Sequence, residues 1–333
     1  MNQIFNITQD FKHYYFYFLG IRISFSKKGF GKIKNPDNLA GHPILTAKEA
    51  TDCIYEVLNK KEPCFITRFG ATEILTIEYF QTYKNKNNFC EFPDYIKDNM
   101  RNQAGFFTPT NELLSKFCQD SVNMVSNMDV LGVWNYFYKN NGSEEPFIKN
   151  YASKDIKLVN MWEFIQGAFK QEIPWMRVLK GKKVLVIHPF EKSIINQYSK
   201  HEKLFENKLI LPNFQLETIK AIQGIDTNNT KNQYKDWFDA LENMYKQIDE
   251  KDFDIALIAA GAFGMFLANY IKNKGKQAVH IGGALQLLFG IKGTRWNDEF
   301  GYLYNDNWSS PLPEECPSDL TNFIKGEGIK AYW

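Results

Sequence analysis

Short runs that are apolar at every position, each followed by glycine or proline and then by a helical period, recur along this chain. Residues 255–260 form such a run, the pattern of a strand buried on both faces. Gly261 and Gly264 come next, and Phe263, Phe266, Leu267, Tyr270 and Ile271 then share one helical face. Gly275 stands where a left-handed helix cap is wanted, and residues 278–281 predict a second strand, closed by Gly282 and Gly283. The same order occurs upstream. Residues 184–187 predict a strand, His188-Pro189-Phe190 breaks it, and a helical stretch starts near Ser193 with Ile194, Ile195, Tyr198, His201 and Leu204 along it. A third copy has a strand at 63–67, the segment Arg68 to Glu73, and a helical run carrying Ile74, Leu75, Ile77, Glu78 and Phe80. Ahead of it, Thr46 and Glu49 have capping-box spacing before Ala50, Cys53, Ile54, Val57 and Leu58. Repeated strand–loop–helix units build parallel sheets. The predicted fold class is therefore α/β, Rossmann-like, with a mostly parallel sheet flanked by helices.

The remaining pattern is thinner. It predicts a helix around 113–124, strands at 130–134, 156–160 and 209–211, and an amphipathic helix through Trp237, Leu241, Met244, Tyr245 and Ile248. Residues 14–21 are apolar and flanked by Lys12, Arg22, Lys27 and Lys28. A bilayer span needs about 20 apolar residues, so this run suits a packed N-terminal element or an interfacial anchor, with no signal-peptidase-like site beside it. Pro311, Pro313 and Pro317 predict an irregular tail. The parse is an aromatic and basic appendage at 1–40, one α/β domain at 41–304 and a tail at 305–333.

Composition narrows the function classes. The 333 residues carry a net charge of +2, which gives no basic surface for nucleic acid. Cys53, Cys64, Cys90, Cys118 and Cys316 show no CxxC or metal spacing and read as reduced thiols in a reducing compartment. The histidines form no HExxH, and neither GxGxxG nor a P-loop occurs. What remains is the strand-end chemistry. In open parallel sheets ligands bind beyond the carboxyl ends of the strands. Gly261, Gly264, Gly282 and Gly283 stand at such ends, where bare backbone admits a ligand or simply permits tight turns. Lys192 and Ser193 lie at the start of a helix, whose free N–H groups suit a phosphate.

Three blocks in order resemble the GT-D type glycosyltransferases. In that class a strand ends in an Arg-Phe-Gly-Asp-x-Glu segment, and a later block runs from a glycine turn through a helix to a strand ending in Ile-Gly. Here Arg68-Phe69-Gly70-Ala71-Thr72-Glu73 matches the first block and residues 261–283 match the second. The resemblance implies a GT-D-like fold and transfer of a sugar from a nucleotide-diphosphate donor, a UDP-sugar, to a glycan or lipid-linked glycan acceptor. The segments HPFEKSIINQY and GGALQLLFGIKGTRW also resemble proteins encoded with bacterial surface-polysaccharide genes. That second resemblance implies capsule- or O-antigen-type synthesis in the cytoplasm, at the inner membrane face, with peripheral membrane contact.

The motif is degenerate, because Ala71 stands where the family has Asp. A methyl group cannot ligate Mn²⁺ or Mg²⁺, and Glu73 alone remains as a possible ligand. Another carboxylate substitutes, or Arg68, Lys192, Lys292 and Arg295 neutralise the pyrophosphate without metal, or the chain binds without turnover. Within this frame Glu73 is the first candidate for acceptor base and His188 the second, its rival role being a buried structural histidine. Gly70, Ser193 and the strand-end glycines would surround the donor, Gln197 and Gln286 would bind sugar hydroxyls, and Trp296 would stack on a sugar or base or fill the core. Two other classes stay open: a non-catalytic nucleotide- or sugar-binding module, and another Rossmann-like enzyme such as a sugar-phosphate isomerase or oxidoreductase.

Overall fold

The structure, a computed structural model, describes residues 37–134, 144–224 and 232–315, together with the backbone strands at 5–9, 13–18 and 21–26. The chain divides into two compact units, Met1–Pro36 and Asp37–Trp333. In the first unit β1 (Phe5–Gln9), β2 (His13–Phe18) and β3 (Ile21–Ser26) form an antiparallel sheet in that order. The side chains of the apolar run at 14–21 lie outside the described residues.

The second unit is built on nine strands: β4 (Asn38–Leu39), β5 (His42–Leu45), β6 (Cys64–Arg68), β7 (Val130–Val133), β8 (Lys157–Asn160), β9 (Lys183–His188), β10 (Gln215–Lys220), β11 (Ile255–Ile258) and β12 (Gln277–His280). Their order across the sheet is β10-β9-β11-β12-β6-β7-β8-β5-β4. Every pairing is parallel except β4 with β5. The helices are α1 (Ala47–Asn59), α2 (Ala71–Tyr83), α3 (Asp94–Gln103), α4 (Asn111–Asn123), α5 (Glu145–Tyr151), α6 (Glu191–Tyr198), α7 (His201–Leu204), α8 (Trp237–Asp249) and α9 (Phe263–Asn273), followed by short turns.

Alternation along the central strands explains the two layers of core. Phe65, Leu131, Leu185, Ile187, Ala256 and Ile258 point to one face, where α2, α4, α8 and α9 lay Ile77, Phe117, Trp237 and Phe266 against them. Ile66, Val130, Val184, Val186, Leu257 and Val279 point to the other, against Ile54 of α1, Trp175, Ile194 of α6 and Leu287. Strands covered on both faces must be apolar throughout, which is why these runs were visible in the sequence. Each valine, leucine, isoleucine or phenylalanine among them contributes about 1.5–3 kcal/mol when fully buried. Chain leaving β9 crosses to the second face and chain leaving β11 to the first, so the two connections diverge at the carboxyl ends of adjacent strands. That divergence opens a crevice, the usual place for a ligand in such sheets.

Two local expectations change. Thr46 is extended and precedes α1, yet its side chain makes no capping hydrogen bond, and Ala47 takes a left-handed φ of 48°. Residues 209–211 form a turn rather than a strand, with Ile210 and Leu211 packed beneath it. The strand is instead β10, whose half-exposed, polar-alternating sequence reflects its place at the sheet edge. The tail up to residue 315 is irregular but packed: Trp308 Nε1 donates to the Leu204 carbonyl at 3.0 Å, and Lys292 N donates to the Ser309 carbonyl at 2.8 Å. Among the described residues no helix is long and apolar enough to cross a membrane.

Glu144 supplies a stability test. Its Oε1 accepts the Trp134 backbone N–H at 2.9 Å, and burial raises its pKa from 4.5 to about 7. The folded state thus holds a proton that the unfolded state releases above pH 4.5. Its stabilising contribution is complete below that pH and is lost as pH rises to about 7. Glu144→Gln should remove this slope, so the variant gains on the order of 3 kcal/mol over wild type between pH 4.5 and 8. Urea denaturation of both proteins at the two pH values checks it; parallel slopes would disprove it.

Candidate active site at the strand carboxyl ends

A cavity of about 280 Å³ lies at the carboxyl edge of the sheet. It gathers the loops after β6, β9, β10, β11 and β12, so Glu73, His188, Gly261, Gly282 and Arg295 share one space. The expectation that the recurrent strand-end loops converge is met.

Arg68 ends β6 and organises this space. Its Nε donates to the Ile281 carbonyl at 3.1 Å and its Nη1 to the Phe69 carbonyl at 3.2 Å. The guanidinium carbon lies 5.7 Å from the Trp134 ring centroid, and Trp134 Nε1 donates to the same Phe69 carbonyl at 2.6 Å. The guanidinium presses against Gly282, where an added Cβ would stand 2.0 Å from Nη2. Gly282 also has a φ of 81°. Both the conformation and the approach require glycine.

Gly70 precedes α2, and the carboxylate of Glu73 folds back over it; a Cβ there would lie 2.0 Å from Oε2. Burial raises the Glu73 pKa, and the Arg68 charge opposes that rise. Ala71 is the first residue of α2 and lines the cavity, occupying the position of the missing motif Asp. Glu73 is the one carboxylate among the described lining residues, beside two arginines. Among the described residues no group of three His, Cys, Asp or Glu side chains could hold a metal. A lone carboxylate does not make the oxygen-rich donor set that Mg²⁺ or Mn²⁺ requires.

Both cavity histidines are neutral. His188 Nδ1 accepts the Phe190 backbone N–H at 2.9 Å, and burial lowers its pKa to about 3. With Nδ1 accepting that bond, the proton of the neutral ring sits on Nε2, which makes His188 a hydrogen-bond donor to the cavity. His280, unsuspected from sequence, lies 3.0 Å from Thr67 Oγ1 through its Nδ1. Burial, with Arg68 adding to it, holds its pKa well below 6.5. Gly264 serves this ring rather than a ligand: a Cβ would meet the imidazole at 2.3 Å. Gly261, with φ 51°, lets Ala262 N reach the Ala104 carbonyl at 2.9 Å on the cavity wall. Gly105 and Gly224 cross so closely that a Cβ on Gly224 would stand 1.7 Å from the Gly105 oxygen. Crossings of this kind leave no local sequence signal, whereas the signal that could have found His280 is a polar residue ending an apolar strand, two positions ahead of Gly282-Gly283.

Five expected residues stand elsewhere. The start of α6 holds no room for a phosphate, because Glu315 occupies it. Lys192 N and Ser193 N donate to its carboxylate at 2.7 and 3.1 Å, and Ser193 Oγ donates to it too. Lys192 Nζ points outward to Glu314 at 3.6 Å. Gln197 spends its Nε2 on the carbonyls of Gly290 and Asn307 at 3.0 and 2.9 Å. Gln286 likewise donates to the carbonyls of Ile291 and Lys292 at 3.3 and 3.1 Å. Lys292 Nζ lies 5.6 Å from the Tyr304 ring, away from the cavity lining. Trp296 is core, 6% exposed. Gly283 and Arg295 do line the cavity.

Residues 45–288 match the GT-D fold-like domain family. The chain belongs to that family. The match spans β6 to β12, the strands whose ends form the cavity, and it supports glycosyltransferase activity. Two solved structures are similar to this GT-D-like protein. One is described as a selenomethionine-substituted domain of unknown function 1792, the other as the domain of unknown function 1792 with a distinct glycosyltransferase fold. Each is 12% identical and covers 83% of this chain and 93% of its own, with TM-scores of 0.40 and 0.39. No curated protein matches the chain.

Gly282 and Gly275 allow a clean comparison. Both have φ near 80°, but a Cβ on Gly275 meets nothing within 4 Å. Gly275→Ala should cost about 1 kcal/mol from backbone strain alone. Gly282→Ala should cost a further 1–3 kcal/mol or so by displacing Arg68. Equal denaturation midpoints for the two variants would show that Arg68 is not held against Gly282.

Proposed function

We propose that this GT-D-like protein transfers a sugar from a nucleoside diphosphate donor to a glycan acceptor without a divalent metal. The observation that carries the reading is the cavity lining: Arg68 and Arg295 as cations, Glu73 as the lone carboxylate and glycine backbone at three strand ends. In the step proposed, the acceptor oxygen bonds to the anomeric carbon while the bond from that carbon to the phosphate oxygen breaks. The acceptor proton passes to Glu73, and the diphosphate leaves with added negative charge. A carboxylate whose pKa is raised by burial is a stronger base near neutral pH than an ordinary one. Cations already fixed in the wall stabilise the charge that develops on the leaving group. Uridine as the base, a free or lipid-linked glycan as acceptor, and a surface-polysaccharide role at the inner membrane face are proposed from the sequence resemblances.

Three measurements on one transfer assay test this. Glu73→Gln should lower turnover by on the order of 10² or more while leaving the fold intact by circular dichroism. Turnover within about twofold of wild type would exclude the base role. EDTA should leave activity intact, and Arg295→Ala should reduce it; complete loss in EDTA would establish a metal requirement. Ala71 favours a second reading, a non-catalytic binding module. Nucleotide binding without turnover, under any metal condition, selects that reading.

A further inference from the structure

The lining of the cavity divides by strand. Its charged side chains among the described residues lie on one side: Arg68 ends β6, Glu73 follows it, and Arg295 comes after β12. The chain beyond β9, β10 and β11 contributes Phe190, Ile222, Ala259, Ala260 and Phe263, and no charge. His188 ends β9 in this neutral half. It is 3% exposed, and its Nδ1 is taken by the Phe190 N–H at 2.9 Å. Its Nε2 meets no partner among the described residues, yet they do not seal it off. A buried donor left open on a cavity marks where an acceptor belongs. Burial keeps the ring neutral, with a pKa of about 3, so it offers one N–H and no charge. The Arg68 guanidinium leans over Gly282, just beyond β12, and β12 lies two places from β9 in the sheet. At about 4.8 Å per strand, the cation and the His188 ring stand roughly 10 Å apart.

That separation and the contrast between the halves choose among the parts of a sugar nucleotide. A phosphate belongs with the arginines, because a charge taken out of water needs a partner. A sugar ring carries hydroxyls around its whole edge and needs several polar groups, where the neutral half is mostly apolar. A nucleobase has two apolar faces and an edge that accepts hydrogen bonds. In one nucleotide that edge and the diphosphate lie about as far apart as His188 and Arg68. We propose that the neutral half seats the base of the nucleotide donor and that His188 donates from Nε2 to an acceptor on its edge. The Phe190 N–H, by holding Nδ1, orients the ring and keeps the proton on the side that meets the ligand. The donor then lies across the strand ends, base over β9 and β11, diphosphate over β12 and β6. This assignment rests on the glycosyl transfer proposed above.

Calorimetry on the full chain with UDP and with inorganic pyrophosphate tests it. His188→Asn keeps an oxygen near Nδ1 for the Phe190 N–H and removes the donor at Nε2. His188→Gln keeps a donor near Nε2 and removes the acceptor at Nδ1. UDP affinity should fall about tenfold in His188→Asn, the loss expected from one buried hydrogen bond, and stay close to wild type in His188→Gln. Pyrophosphate affinity should not change in either variant. A second readout needs no variant: in nuclear magnetic resonance of the wild type, UDP should slow solvent exchange of the His188 Nε2 proton and pyrophosphate should not. UDP affinity unchanged in His188→Asn, equal losses in the two variants, equal losses for UDP and pyrophosphate, or protection by pyrophosphate would each overturn the base assignment. Transfer activity would then still stand on its own assay. The expected UDP effects without any transfer would overturn the transfer reading and leave the base assignment. Absence of UDP binding would overturn both.

Discussion

A guanidinium held inside the end of a parallel sheet is the constraint on which the site depends. A charge taken out of water needs hydrogen bonds in return, and Arg68 obtains them from the carbonyls of Ile281 and Phe69. Those bonds tie β6 to the end of β12, and the shared Phe69 carbonyl brings in Trp134 from the end of β7. The glycine at 282 exists because the guanidinium needs its space. The same charge then sets the electrostatics around it. It restrains the rise in the Glu73 pKa and adds to the burial that keeps His280 neutral.

The balance of charge in the cavity follows from this arrangement and from the neutral histidines. Burial strips His188 of any proton it would carry near neutral pH, and the Phe190 N–H fixes which nitrogen is bare. The positive charge of the lining is therefore arginine charge, from Arg68 and Arg295. Lys192, which stood beside these residues in the sequence pattern, contributes to a different part of the molecule, paired with Glu314 at the surface.

The buried strands and the glycines after them were legible in the sequence, because a strand covered on both faces is apolar at every position and a tight strand-end turn leaves a glycine. The same logic found α8 and α9 from their periodicity. What escaped depended on partners far along the chain. Glu315 lies 122 residues from Ser193, and nothing near Ser193 announces that its helix start is already capped. Gln197 and Gln286 resemble ligand-binding amides in sequence, but their donors are used by carbonyls that become neighbours only in the folded chain. Edge strand β10 was hidden for the opposite reason: half exposed, it lacks the apolar run that marked the central strands.

The sheet order carries a consequence for synthesis. β6 lies between β12 and β7, so its partner on one side emerges more than two hundred residues after it. A chain appearing from its N-terminus can pair β6 with β7 and cover them with α2 and α4, but the other edge of β6 stays open. Contacts of such long sequence separation form slowly, and an unpaired edge exposed meanwhile invites association with other chains. The last strand to be made thus closes the sheet, and the cavity is complete once the residues after it, through Arg295, are in place. Partial chains that stop before β12 carry an open central edge and an incomplete cavity.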